Sequence, residues 1–501
     1  MDTVAIAFRK YLFAACCALS PGISADSEFG IFKTSDDGQT WQSFDSAIAM
    51  SEDACVDPEV IPSTSADSML AIETKLFVAN PGSNTQQQTF LRFINPNEEV
   101  TAVEIYGIDD NGNFSANSAM SFNLDGGASK QVTAQDLENG NAAKDLNGHF
   151  CDGQGKWQLH IRSDNPVEVM GLIRTPDGFL TSLTDVVPEV KGINQIYFAN
   201  PANNTTQQTF LRIVNTTSES GSVTISGIDD TGAVSTGTVT FSLAANEAKQ
   251  INSQDIENGN SGKGLSGTLD DGSGKWRLEV TSSLNLEVLS LIRTPTGFLT
   301  NLSGVVEEND AGDHVIVFAN PASETERETF LRIINTSDTS GLVTLSGVDE
   351  NGNIAPGGDI QFDLAARASK QMTVGDLETG NPGKGLTGTL GDGEGRWRLT
   401  VSSDLTLQVM SLIRTPDGFL TNLSRTAPVD NEGVTDLYIV NPGTNDTQRS
   451  SLHIANLSNE QASIRSLELM TMAHLGEPSH LILILAPQPI SQPRNWSLAA
   501  V

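Results

Sequence analysis

The chain repeats itself every 120 residues, and that period constrains its fold more than any other feature. The segments LFVANP, IYFANP, VIVFANP and LYIVNP place Asn80, Asn200, Asn320 and Asn441 at matching points. The next strand reads TFLRFIN, TFLRIVN, TFLRIIN and, weakly, SLHIAN. YGIDDNGN, SGIDDTGA and SGVDENGN follow, then DLENGN, DIENGN and DLETGN, then DGQGKWQL, DGSGKWRL and DGEGRWRL. GLIRTPDGFLTSL, SLIRTPTGFLTNL and SLIRTPDGFLTNL close the units. A unit of this length can bury its own core, so the sequence predicts separate monomeric beads on a string rather than a solenoid.

Each motif has a local physical reading. Val223, Ile225 and Gly227 alternate with Thr224 and Ser226, and Trp276, Leu278 and Val280 with Arg277, Glu279 and Thr281. Period two means half-buried strands. The Asp-Asp-Asn-Gly and Thr-Pro-Asp-Gly runs are turn chemistry. Thr133 with Asp136 three residues on predicts a helix N-cap, and the following Asn-Gly a one-turn helix. The count comes to about seven or eight strands per unit, an all-β, two-sheet sandwich with Trp157, Trp276 and Trp397 as core anchors.

The order of these motifs is similar to tandem immunoglobulin-like modules of bacterial secreted and surface proteins, over residues 76–425 and a stub after 437. The resemblance implies spacers, adhesive beads or appendages to exported enzymes. The expected organisation is a signal peptide (1–25), a linker (26–70), three sandwiches (71–190, 191–310, 311–430) and a truncated fourth (431–501). Within the linker, TSDDGQTW (34–41) resembles the Asp-box hairpin of β-propellers such as sialidases. That resemblance gives Asp36, Gly38, Thr40 and Trp41 structural roles, and one box cannot make a propeller.

Arg9 and Lys10 before an apolar run, with Ile23 and Ala25 suited to signal-peptidase recognition, predict export to the cell surface, medium or periplasm. Cys16 and Cys17 would leave with the leader. Cys55 and Cys151 remain, and an exported pair is expected to bond. Cys151 belongs to the first repeat alone, its counterparts being Asp270 and Gly391. With 29 basic and 62 acidic residues, the net charge of −33 disfavours nucleic acid and anionic membranes. No stretch is long and apolar enough to span a membrane as a helix.

HExxH, GxSxG, Walker and zinc-like cysteine patterns are all missing from the sequence, which predicts a non-enzymatic protein with no cofactor and an extracellular protein or glycan partner. The alternative is the accessory region of an exported hydrolase. Calcium is the candidate ligand, at Asp109, Asp110, Asn111 and Asn113 and at Asp349, Glu350, Asn351 and Asn353. Arg92, Arg212 and Arg332 recur mid-strand, and Asp136, Asp255 and Asp376 are their expected partners. Arg174, Arg293 and Arg414 recur before the Thr-Pro turn.

The fourth unit starts on schedule at Asn441, yet Glu468 stands where its Gly-x-Asp-Asp-x-Gly turn is due. Read one base earlier, the codons of Glu468 to Ala473 can encode Gly-Val-Asp-Asp-Asn-Gly. A one-base frame slip near codons 465–467 is therefore expected. On that reading LILIL (481–485) is neither a membrane anchor nor a strand, and the half module leaves its apolar strands exposed.

Overall fold

The structure is a computed structural model that describes residues 32–33, 42–43, 72–115, 119–151, 153–184, 187–303, 312–424, 437, 439–445, 448–457, 463, 467–469 and 482–484. The chain divides into two compact units, residues 1–57 and 58–501. In the first, β1 (Phe32–Lys33) pairs antiparallel with β2 (Gln42–Ser43). Asp36, Gly38, Thr40 and Trp41 lie outside the described residues, as do Cys55 and the predicted leader.

The second unit is nearly all β. Repeat 1 contains β3 (Ile72–Ala79), β4 (Gln88–Ile94), β5 (Thr101–Ile108), β6 (Met120–Leu124), β7 (Ser129–Thr133), β8 (Trp157–Ser163), β9 (Glu168–Arg174) and β10 (Leu180–Ser182). They form two antiparallel sheets, β3-β8-β5-β6 and β7-β4-β9-β10. The pairings β4–β7 and β5–β8 match the B–E and C–F pairs of an immunoglobulin sandwich. The outer strands are placed differently, with β3 beside β8 and β9 beside β4.

Repeat 2 follows the same path through β11 (Val187–Ala199), β12 (Gln208–Asn215), β13 (Gly221–Ile228), β14 (Val239–Leu243), β15 (Ala248–Asn252), β16 (Trp276–Arg293) and β17 (Leu299–Asn301). Here β16 is one continuous strand that passes from one sheet to the other. Repeat 3 has β18 (Gly312–Ala319), β19 (Glu328–Asn335), β20 (Gly341–Val348), β21 (Ile360–Leu364), β22 (Ser369–Thr373), β23 (Trp397–Ser403), β24 (Leu407–Arg414) and β25 (Leu420–Asn422), in two four-stranded sheets. In the tail, β26 (Leu467–Leu469) pairs with β27 (Ile482–Ile484), so the LILIL run contributes a strand, contrary to expectation. No described helix is long and apolar enough to cross a membrane.

Each repeat has its own apolar core, with Trp157, Trp276 and Trp397 buried in the three of them. Each indole N–H donates to a glutamate of the short helix: Glu138 at 2.9 Å, Glu257 at 2.7 Å and Glu378 at 2.8 Å. The same carboxylates accept from Gly82, Ala202 and Ala322 in the Asn-Pro turn. In each repeat one glutamate thus joins core, helix and turn.

The helices are α1 (Ala134–Asn139), α2 (Ser253–Asn258) and α3 (Val374–Thr379), each opened by a capping box. Asp136, Asp255 and Asp376 are the N3 members of those boxes. They pair with Lys144, Lys263 and Lys384 of their own repeat at 2.5–2.6 Å, not with the strand arginines expected from the sequence. Arg212 and Arg332 instead meet Asp110 and Asp230 of the preceding repeat. Burial alone would raise these three carboxyls, but bonds from the lysine, the following asparagine and the cap residue outweigh it and hold them below the usual aspartate value. A depressed folded pKa gives stability above the unfolded value that is lost as pH falls through the folded one. The Asp255→Asn variant is therefore expected to flatten the acid limb of stability below about pH 4, measured by denaturant unfolding from pH 6 to pH 2.

Candidate functional site: the seams between repeats

The recurring side chains converge between repeats. Asp109 holds the acidic turn rigid: its Oδ1 accepts from the N–H groups of Asn111 and Asn113 at 2.9 Å, and its Oδ2 from that of Gln154 at 3.1 Å. Asp229 and Asp349 do the same in the other repeats. Burial would raise these last two carboxyls, but the hydrogen bonds prevail and depress them. The turn so fixed projects its second acid, Asp110 or Asp230, into the next repeat.

There it meets the strand arginine. Arg212 is fully buried, with Nη1 2.6 Å from Asp110 Oδ1 and Nε donating to the Phe77 carbonyl at 2.8 Å. Arg332 repeats this with Asp230 at 2.7 Å and the Tyr197 carbonyl at 3.2 Å. The turn backbone joins in, since Asp110 and Asp230 accept from the N–H groups of Ala248 and Ser369 at 3.0 Å. Around each ion pair lies an apolar patch. Phe77, Val78 and Ile173 of repeat 1 pack with Phe210, Leu289 and Leu291 of repeat 2. Tyr197, Phe198 and Ile292 of repeat 2 pack with Phe330, Met410 and Leu412 of repeat 3. Each such side chain contributes about 1.5–3 kcal/mol when fully buried. The expected string of separate beads is thereby corrected: the outer sheet faces are apolar enough to fuse the repeats.

A second set of contacts lies at the Thr-Pro turns. Gln87 Nε2 donates to the Gly297 carbonyl and Gln207 Nε2 to that of Gly418, both at 2.8 Å. Phe179, Phe298 and Phe419, one per repeat, form a mutual cluster with centroids 3.9–5.7 Å apart. Arg174, Arg293 and Arg414 cover the rings of Phe90, Phe210 and Phe330 at 4.3–4.4 Å.

The calcium candidates have protein partners in the fold. Asp109 faces amide N–H groups, Asp110 faces Arg212 and the Lys156 N–H, and Asn113 and Asn353 turn their own Nδ2 toward Asp109 and Asp349. Asn111 and Asn351 donate backbone N–H groups, and Glu350 pairs with Arg396 at 3.3 Å. Among the described residues no group of three or more His, Cys, Asp and Glu is arranged to hold a metal. Cys151 is disulfide-bonded and buried, in the left-handed backbone conformation that Asp270 and Gly391 share.

Lys156 sits in the first seam, donating to Gln250 Oε1 at 2.8 Å. Burial pushes it down to about 8 from an ordinary 10.5, helped by the charge of Arg212 and opposed by Asp110. Between those two values the unfolded chain holds more protons, so stability rises with pH. The expected slope is up to about 1.4 kcal/mol per pH unit. Subtracting the profile of Lys156→Met from that of the parent between pH 8 and pH 10 isolates it; identical profiles contradict the assignment.

No family model matches this chain. No curated protein matches it either. A solved structure described as the triple jelly roll fold and turret assembly in an archaeal virus aligns at 11% identity over 68% of this chain and 83% of its own. Its TM-score is 0.13.

The missed signal was the arginine's partner. Asp110 and Arg212 are as far apart in sequence as Asp230 and Arg332, so the period itself permitted pairing across repeats. A perfect repeat looks the same whether its residues pair within a unit or with the next.

Proposed function

We propose that this chain is a non-enzymatic, exported structural protein, a rigid scaffold or adhesive body at the cell surface. The observation that carries the reading is the seam: the recurring polar residues that a repeated active site would draw on are engaged in holding repeats together. The acidic composition keeps such a body soluble and repels anionic membranes. The exposed remainder of each repeat is left to meet a protein or glycan partner. The test is location and processing. Protease shaving of intact producing cells should release seam-containing fragments, and N-terminal sequencing should find the mature chain beginning after Ala25. Recovery of the protein from cytosol alone, with its first residues intact, would sink the reading.

The second reading, an accessory region of an exported hydrolase, is favoured by the pairing of β1 with β2 on either side of the Asp-box sequence. It expects hydrolase activity to copurify with the native chain.

A further inference from the structure

The start of the fourth unit is seated as a repeat, although it has only the first two strands' worth of matching sequence. Inside the stub, the Asn441 N–H donates to Ser450 Oγ at 2.8 Å, as Asn80, Asn200 and Asn320 donate to Thr89, Thr209 and Thr329. Gln448 N–H donates to Asn445 Oδ1 at 2.9 Å, as Gln87 and Gln207 do to Asn84 and Asn204. Toward repeat 3 the stub takes the role of a following repeat. His453, the counterpart of Arg332, meets the Val317 carbonyl at 3.2 Å, and Arg398 donates to the Asn456 carbonyl as Arg277 does to that of Asn335.

Toward repeat 1 the stub takes the role of a preceding repeat. Gln448 Nε2 donates to the Gly178 carbonyl at 2.7 Å, the bond that Gln87 and Gln207 make to the next repeat's turn. The contacts therefore run from repeat 1 to 2, 2 to 3, 3 to the stub and the stub back to 1. Three repeats closing on themselves would bring Arg327 to Gly178 and Arg92 to Val317. Instead Arg327 pairs with Glu324 of its own turn, and the stub makes both contacts.

Two features of this fourth position are incomplete. Leu437, Val440, Leu452 and Ile454 are 48–61% exposed, whereas their counterparts Leu76, Ala79, Leu91 and Phe93 are buried. Arg92, the counterpart of Arg212 and Arg332, has no carboxylate among the described residues. Its Nη2 reaches Ser129 Oγ, and its buried Nε has no partner.

We propose that the repeats form a closed ring of four positions, and that the place between repeat 3 and repeat 1 is the seat of a complete fourth sandwich of this same repeat sequence. Its first two strands are residues 437–457. Its remaining strands cover Leu452 and Ile454, and its acidic turn delivers an aspartate to Arg92. A frame shifted by one base after residue 465 can encode that turn as Gly-Val-Asp-Asp-Asn-Gly. The inference stands apart from the functional reading, because it concerns assembly and not location.

The test is a full-length chimaera in which residues 466–501 are replaced by residues 225–303, which restores the turn in register. The chimaera is expected to be monomeric, and to slow hydrogen exchange of the Leu452 and Ile454 amides at least about tenfold. It should also protect β4 around Arg92, and Arg92→Met should abolish that second protection while leaving the first. A fourth repeat that folds but leaves β4 unchanged overturns the ring. Should the chimaera not fold, the unaltered chain still decides. Gln448→Ala is expected to speed exchange in the Thr175–Phe179 turn, and removal of residues 431–501 to speed it both there and in β18; unchanged exchange in both variants overturns the seating.

Discussion

Replacing Arg332 by alanine is expected to lower the stability of the repeat body by about 3 kcal/mol and to split its unfolding into two transitions. The guanidinium is fully buried and has two jobs, a bond to the Tyr197 carbonyl and an ion pair with Asp230. Burial opposes its charge, and Asp230 offsets that cost. Removing it leaves a carboxylate facing the apolar seam of Phe198 and Phe330. Asp230 is a quarter exposed, so the effect falls at the lower end for a broken buried pair. Arg332→Lys should rescue little, because an ammonium cannot donate along both directions of the guanidinium fork. Guanidinium unfolding followed by tryptophan fluorescence reads the result through Trp276 and Trp397, on either side of the seam. A loss under about 1 kcal/mol, the range of an exposed pair, contradicts the seam's role.

The second large effect separates backbone strain from docking. Gly232 and Gly352 occupy the same point of the acidic turn, at φ +89° and +85°. An alanine at either suffers the left-handed penalty of about 1–2 kcal/mol. At Gly232 the added Cβ would also stand 2.3 Å from the Ala366 carbonyl oxygen of the next repeat, a backbone atom that cannot rotate away. At Gly352 nothing lies within 4 Å. Gly232→Ala should therefore cost at least about 3 kcal/mol and loosen the seam between repeats 2 and 3, whereas Gly352→Ala should lose the strain alone. Thermal unfolding of the two variants side by side measures the difference. Equal losses would mean that the turn does not press on its neighbour. Gly112, where an added Cβ would stand 2.3 Å from the Ala245 oxygen, should behave like Gly232.

Both expectations turn on a contact between units that are copies of one another. The tandem arrangement brings each acidic turn to the same face of its successor, so one favourable seam is used again at the next junction. Its ion pair is specific in a way the surrounding leucines and phenylalanines are not, because only one register brings Asp110 to Arg212 and Ala248 to the turn carbonyl. At the stub, His453 stands in the arginine's place and Glu350 is turned to Arg396, so that junction lacks the buried ion pair.

Much of this fold was legible in the residues. Alternation at Val223, Ile225, Trp276, Leu278 and Val280 set the strands, because a half-buried strand needs that period. Thr133 and Asp136 set the helix start, because a cap and its N3 acid satisfy each other locally. The buried tryptophans followed from size and apolarity. These are short-range demands that each unit meets by itself. What only the tertiary structure decided was partnership. Asp110 and Asp136 are both acids near a recurring arginine in sequence, and nothing local says which one it will face. Lys144 claims Asp136 within the repeat, and the outward sheet face carries Arg212 to the preceding unit. Sequence determined what each repeat is, because its hydrogen bonds and core close within about a hundred residues. Whether the repeats remain beads or fuse depended on which apolar faces were left over once those cores had closed, and that is settled only when the whole chain is folded.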